Sequence, residues 1–134
     1  MTDDEDNSVV AAVVKQVAGR VPVIAGSGSN STQTMLTKSL TYQGLGADGL
    51  LLITPYYNKS NEEGIYQHFK TVADAVDIPC ILYNIPGRCG CGISERNVER
   101  LAAHPNIMGI KEASGNVAYA AKIAHLLSDD FRMY

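Results

Sequence analysis

The sequence predicts an α/β fold assembled from repeated strand–helix units. Three observations carry that prediction. Short apolar runs alternate with longer amphipathic ones. The apolar runs begin roughly every 30 residues, about the length of one βα unit. Within each run there is no apolar–polar alternation, the pattern of a strand covered on both faces in a parallel sheet. On this basis strands are expected at Val21-Pro22-Val23-Ile24-Ala25, Leu50-Leu51-Leu52-Ile53, Pro79-Cys80-Ile81-Leu82-Tyr83 and Ile107-Met108-Gly109-Ile110-Lys111, with Phe131-Arg132-Met133-Tyr134 opening a fifth.

The helices follow from capping residues and apolar spacing. A first helix is expected from about Asp4 to Ala18, and Ser31 opens a second with Met35, Leu36 and Leu40 inward. Ser60-Asn61-Glu62-Glu63 fits a capping box, followed by Ile65, Phe69, Val72, Ala73 and Val76 on one face. Ser94 precedes a helix carrying Val98, Leu101 and Ala102, and Asn116 one burying Ala120, Ile123, Ala124 and Leu127. No linker, low-complexity tract or second domain interrupts residues 1–134, which read as one unit. A doubly wound sheet is complete with five strands, whereas a barrel of eight βα units needs about 250 residues, of which this chain supplies about half.

Composition narrows the function classes. At 134 residues the chain is long enough to bury a core, and its 11 Lys plus Arg against 14 Asp plus Glu leave a net charge of −3. That balance offers no footprint for nucleic acid or an anionic membrane, and no apolar run approaches the roughly 20 residues of a spanning helix. The acidic start, Met1 to Asn7, is unlike a signal peptide, and Cys80, Cys89 and Cys91 form no CxxC pair. Reduced thiols in a cytoplasmic protein are therefore expected.

Lys111 closes an apolar strand, so its amine is expected at the C-terminal strand end, where barrels and open α/β sheets place active sites. Apolar walls there would disfavour the charged amine and prepare it as a nucleophile for a carbonyl. Tyr83 ends the preceding strand, and a neighbouring strand about 4.8 Å away brings its phenol within reach of that amine. Arg88, in the loop Gly87-Arg88-Cys89-Gly90, has the planar fork that binds a carboxylate in bidentate fashion. Tyr56 and Tyr57 follow another strand end as lid, substrate wall, subunit contact or plain packing. Gly26-Ser27-Gly28-Ser29-Asn30 lacks the third glycine of a dinucleotide loop and reads as a tight strand-to-helix turn. His68, His104 and His125 have no ligand spacing, so neither a metal nor any other cofactor is expected.

Together these residues resemble the dihydrodipicolinate synthase family. The resemblance lies in Thr54-Pro55-Tyr56-Tyr57-Asn58, Leu82-Tyr83-Asn84-Ile85-Pro86-Gly87-Arg88 and Gly109-Ile110-Lys111-Glu112-Ala113-Ser114-Gly115, with Val23 to Asn30 similar to the third barrel strand and its turn. It implies a (β/α)8 TIM barrel, of which the chain covers units three to six and the start of strand seven. It also implies a Schiff-base aldolase-type lyase that condenses pyruvate with L-aspartate 4-semialdehyde, giving 4-hydroxy-tetrahydrodipicolinate for lysine and diaminopimelate biosynthesis. In that scheme Lys111 forms the imine, Tyr83 moves protons, Arg88 binds the semialdehyde carboxylate, and Tyr57 joins a proton relay across a subunit contact at which Tyr56 stacks. Asn30 and Tyr56 match the site for the inhibitor L-lysine, and a homo-oligomer, dimer or tetramer, is implied.

The family's threonine pair on the second strand would precede Met1, and Thr34 stands where lysine-inhibited members often carry an acid. The 134 residues alone are therefore expected to show no synthase turnover and to be prone to aggregate or self-associate. Two other readings compete with the synthase. One is a related enzyme of the N-acetylneuraminate lyase or 2-keto-3-deoxy-sugar aldolase type; those relatives generally lack an arginine matching Arg88. The other is a non-catalytic half-barrel that docks on a homologue.

Overall fold

The computed structural model describes all of residues 1–134. In chain order it comprises α1 (Asp3–Val17), β1 (Ile24–Gly26), α2 (Thr32–Gly44), β2 (Gly49–Ile53), α3 (Glu62–Ala73) and β3 (Cys80–Asn84). There follow the single-turn α4 (Pro86–Cys89), α5 (Glu95–Ala102), β4 (Ile107–Glu112), α6 (Val117–Ile123), a 3-10 turn (Ala124–Leu126) and β5 (Arg132–Met133). Short polar side chains start the helices by accepting from exposed amides of the first turn: Ser31 from Thr34, Asn61 from Gly64, Ser94 from Asn97 and Asn116 from Tyr119. At α3 the cap is Asn61 rather than the expected Ser60, and the reciprocal capping box forms instead at Thr2 and Glu5.

The five strands are parallel and lie side by side in chain order. A doubly wound sheet needs a reversal of strand order. Without one, successive right-handed crossovers stack their helices on a single face, and α1, α2, α3, α5 and α6 do pack in sequence against their neighbours. One face of the sheet is therefore covered and the other is open. Ala25, Leu50, Leu52, Cys80, Leu82 and Ile110 are buried on the covered face among Met35, Phe69, Val72, Val98, Leu101 and Ile123. The alternate residues Ile24, Leu51, Ile53 and Tyr83 retain solvent contact, Ile24 at 51% of its surface. Coverage of both faces, expected from the unbroken apolar runs, is thus not supplied by these residues.

Three smaller expectations are corrected by local geometry. Strand β1 starts late because the Val23 amide is donated to the Asp48 carboxylate instead of a strand partner. Helix α2 turns Met35, Ser39 and Tyr42 inward at i, i+4, i+7, which leaves Leu40 exposed. After α6 the winding tightens to 3-10, so Ile123 is buried while Ala124 and Leu127 rotate out to solvent.

Candidate active site

A one-residue irregularity between β3 and β4 sets the centre of the site. Cys80 pairs with Ile107, but Ile81 pairs with Gly109, so Met108 bulges out of the ladder. Strict two-residue alternation would put Lys111 on the same face as Ile107, against the helices. The bulge reverses that parity. Ile110 packs into the covered face, and Lys111 emerges on the open face directly opposite Tyr83. Its Nζ lies 4.3 Å from the centre of the Tyr83 ring, the geometry of a cation resting on an aromatic face. The amine borders a hollow of about 290 Å³ lined by Ile24, Leu51, Ile81 and Tyr134. Lys111 itself stays exposed, so the apolar enclosure expected for it is a single wall in these residues.

Arg88 projects from the same end of the sheet. The loop expected around it is the helical turn α4, begun by Pro86, a residue suited to the first helical position, and closed by Gly90 at φ +73°. Neither Lys111 nor Arg88 is engaged in an ion pair, so both cations are open to an anionic ligand. The loop after β2 leans on α4: the Tyr57 amide donates to the Cys89 carbonyl at 3.1 Å, and the Cys91 thiol donates to the Pro55 carbonyl at 3.2 Å. Burial pushes the Cys91 thiol above its ordinary pKa, with nearby Cys89 adding to the shift. Tyr57 sits in the left-handed region at φ +73° with 89% of its surface exposed, and Tyr56 is 40% exposed. Asn58 donates from Nδ2 to the Asn30 carbonyl at 2.8 Å, and Asn30 returns a bond from Nδ2 to Asn58 Oδ1 at 3.2 Å.

Lys111 and Tyr83 are therefore in contact, Arg88 stands on the turn α4 to which the Tyr57 loop is joined, and Asn30 is tied to the Tyr56–Tyr57 loop. The Tyr57 side chain stands in solvent. The turn from Gly26 to Asn30 has a packing reason for its glycine: a Cβ at Gly28 would fall 2.5 Å from the Ile53 Cγ2. Beneath it His68 is buried, its Nδ1 bonded to the Thr32 hydroxyl at 2.8 Å, while Nε2 has no well-formed partner. Burial holds its pKa below the ordinary histidine value, against the opposing pull of the nearby Ile53 and Ser29 backbones. Two residues that sequence reasoning passed over, Asn84 and Glu112, pair across the strands one step beyond Tyr83 and Lys111. Their position immediately after the two singled-out residues was the available signal. No helix is long and apolar enough to cross a membrane.

Parallel βα units in chain order, with α1, α2, α3, α5 and α6 on one face and a lysine–tyrosine pair at the strand ends, define a piece of a (β/α)8 barrel. The family assignment follows from comparison with known proteins. The chain belongs to the dihydrodipicolinate synthetase family, whose sequence model matches residues 1–134. It is 51% identical over 126 residues to the 4-hydroxy-tetrahydrodipicolinate synthase of Pelobacter propionicus, covering 94% of this chain and 43% of that protein. The chloride-inhibited dihydrodipicolinate synthase of Acinetobacter baumannii, solved in complex with pyruvate, superposes with a TM-score of 0.95 at 42% identity, over 100% of this chain and 46% of that one. The enzyme of Cyanidioschyzon merolae with lysine bound gives a TM-score of 0.96 at 42% identity, again over 100% and 46%. The chain thus spans about half the length of the relatives it matches.

Proposed function

We propose that this chain carries the imine-forming half of a 4-hydroxy-tetrahydrodipicolinate synthase, which condenses pyruvate with L-aspartate 4-semialdehyde in the cytoplasm. The observation that carries the reading is the Lys111 amine set over the Tyr83 ring at the C-terminal ends of adjacent strands. The neutral amine adds to the pyruvate C2 carbonyl, and loss of water from the carbinolamine leaves the imine. Removal of a C3 proton gives an enamine, whose C3 attacks the semialdehyde C4 and forms the new carbon–carbon bond. The substrate's own amino group then displaces Lys111 from C2, which closes the ring and frees the lysine. Tyr83 is the proton carrier beside the amine, and Tyr57 extends the relay from a neighbouring subunit of a homo-oligomer. Arg88, unpaired and exposed, holds the semialdehyde carboxylate. Asn30 and Tyr56 form the edge of a site for L-lysine as inhibitor; the related Cyanidioschyzon enzyme has been solved with lysine bound.

Borohydride reduction in the presence of pyruvate tests the reading. One reduced pyruvate adduct is expected by intact mass, mapped to the peptide containing Lys111 and lost in Lys111→Ala. An adduct on any other lysine, or none from folded protein, would contradict it.

A further inference from the structure

We propose that Asn84 and Glu112 are a positioning pair: they hold the Lys111 amine over Tyr83 and fix the base of the Arg88 loop. The inference deepens the reading of Lys111 and Tyr83 as the reacting pair and rests on it for its catalytic meaning. Its geometry stands independently of that reading.

Both halves of the Asn84 amide are committed. Oδ1 accepts from the Ile93 amide at 3.0 Å, and Nδ2 donates to Glu112 Oε2 at 2.6 Å. The Ile93 donor fixes which end of the amide is oxygen, so the nitrogen must face Glu112. The other Glu112 oxygen, Oε1, accepts from the Ser114 amide at 2.6 Å, and the Ala113 amide donates to the Asn84 carbonyl at 2.9 Å. Asn84 is 2% exposed, so a charged acceptor there makes a stronger bond than it would in water.

This network lies where the ladder ends. Asn84 and Glu112 are the last residues of β3 and β4, one step beyond Tyr83 and Lys111. Strand ends fray unless something fastens them, and here the fastening is by side chains. The bond to Ile93 also staples the two stems of the segment that carries Arg88, while the Tyr119 hydroxyl donates to the Ile93 carbonyl at 2.6 Å from the α6 side. Glu112 is thereby occupied by Asn84 and Ser114 and forms no ion pair with Lys111, which leaves the amine free for a carbonyl.

The test reverses the direction of one hydrogen bond. Asn84→Asp places two carboxylates face to face and breaks the link to Glu112. In the double variant Asn84→Asp/Glu112→Gln, the new carboxylate accepts from Ile93 and from the new amide nitrogen, whose oxygen accepts from Ser114. All partners are again satisfied. The lysines are methylated with 13C-formaldehyde, and the Lys111 methyl signal is identified by its absence in Lys111→Arg. In the parent chain the Tyr83 ring current should displace that signal upfield. The displacement should vanish in Asn84→Asp and return in the double variant, with folding checked by circular dichroism. The rate of pyruvate imine trapping per folded molecule should follow the same order, falling about 10- to 100-fold and recovering.

A purely structural role would change the folded fraction and leave the rate and ring-current shift of folded molecules alone. A folded Asn84→Asp that keeps the displaced signal overturns the proposal, as does a parent chain that never shows it. Should Asn84→Asp not fold, the double variant decides: the displaced signal supports the pair, and its loss, or failure to fold, overturns it. Absence of pyruvate trapping in a parent chain that shows the displaced signal counts against the reaction and not against the positioning pair.

Discussion

The two faces of this sheet are built from the same strands and nearly the same residue types, yet they do different work. On the helix-covered face Leu50, Leu52, Leu82 and Ile110 are fully buried in one continuous core. On the open face Ile24 and Leu51 border a hollow around Lys111. The covered face supplies stability, and the open face is where the proposed chemistry would take place. A branched aliphatic residue therefore has no fixed meaning in a parallel strand; its meaning depends on the face to which pleat and bulge assign it.

The largest effect that would break this contrast is on stability. Leu82→Ala or Ile110→Ala should lower the unfolding free energy by about 2–5 kcal/mol, because each leaves a cavity in a packed interior. Ile24→Ala on the open face should cost under about 1 kcal/mol. Denaturant titration measures both, and equal losses would dissolve the distinction. Next in size is Gly28→Ala, where a Cβ would collide with the Ile53 side chain and come within 3.0 Å of its backbone nitrogen. Overpacking of this kind costs about 1–3 kcal/mol, and an unchanged melting curve would show that the turn yields freely.

A third substitution sharpens the contrast from the loop side. Tyr57 holds a left-handed backbone with its side chain in solvent, so Tyr57→Gly should leave stability unchanged or raise it by about 1 kcal/mol. A marked loss would mean that the phenol packs within the chain after all. The smallest expected effect is a pH dependence from His68. Its folded pKa is depressed by burial below the ordinary value of 6.5, so the unfolded state binds the extra proton first. Its contribution is complete above pH 6.5 and declines as the pH falls below that. The melting temperature should fall between about pH 7 and pH 5, and His68→Gln should flatten that fall.

The sequence alone revealed the strands, the caps at Ser31, Ser94 and Asn116, and the two side chains that meet, because these depend on local apolar runs and turn chemistry. It did not reveal how Lys111 comes to face Tyr83. That depends on Met108 leaving the ladder, and a strand of uniformly apolar residues gives no sign of where its alternation slips. Leu40 was misassigned for a related reason: Ser39 turns inward in its place, its buried hydroxyl compensated by Ser27 at 2.8 Å, a partner twelve residues away. Asn84 and Glu112 carry no local signal of their pairing, because their bonds to each other and to Ile93 span 28 and nine residues of chain.

On the proposed reading the open face does chemistry through Lys111 with Tyr83 beside it. Tyr83→Phe tests this most directly, since it keeps the ring under the amine and removes only the hydroxyl. Its unfolding free energy should lie within about 1 kcal/mol of the parent, and its imine-trapping rate with pyruvate should fall about 100-fold or more. A folded Tyr83→Phe variant that traps pyruvate on Lys111 at the parent rate would contradict it.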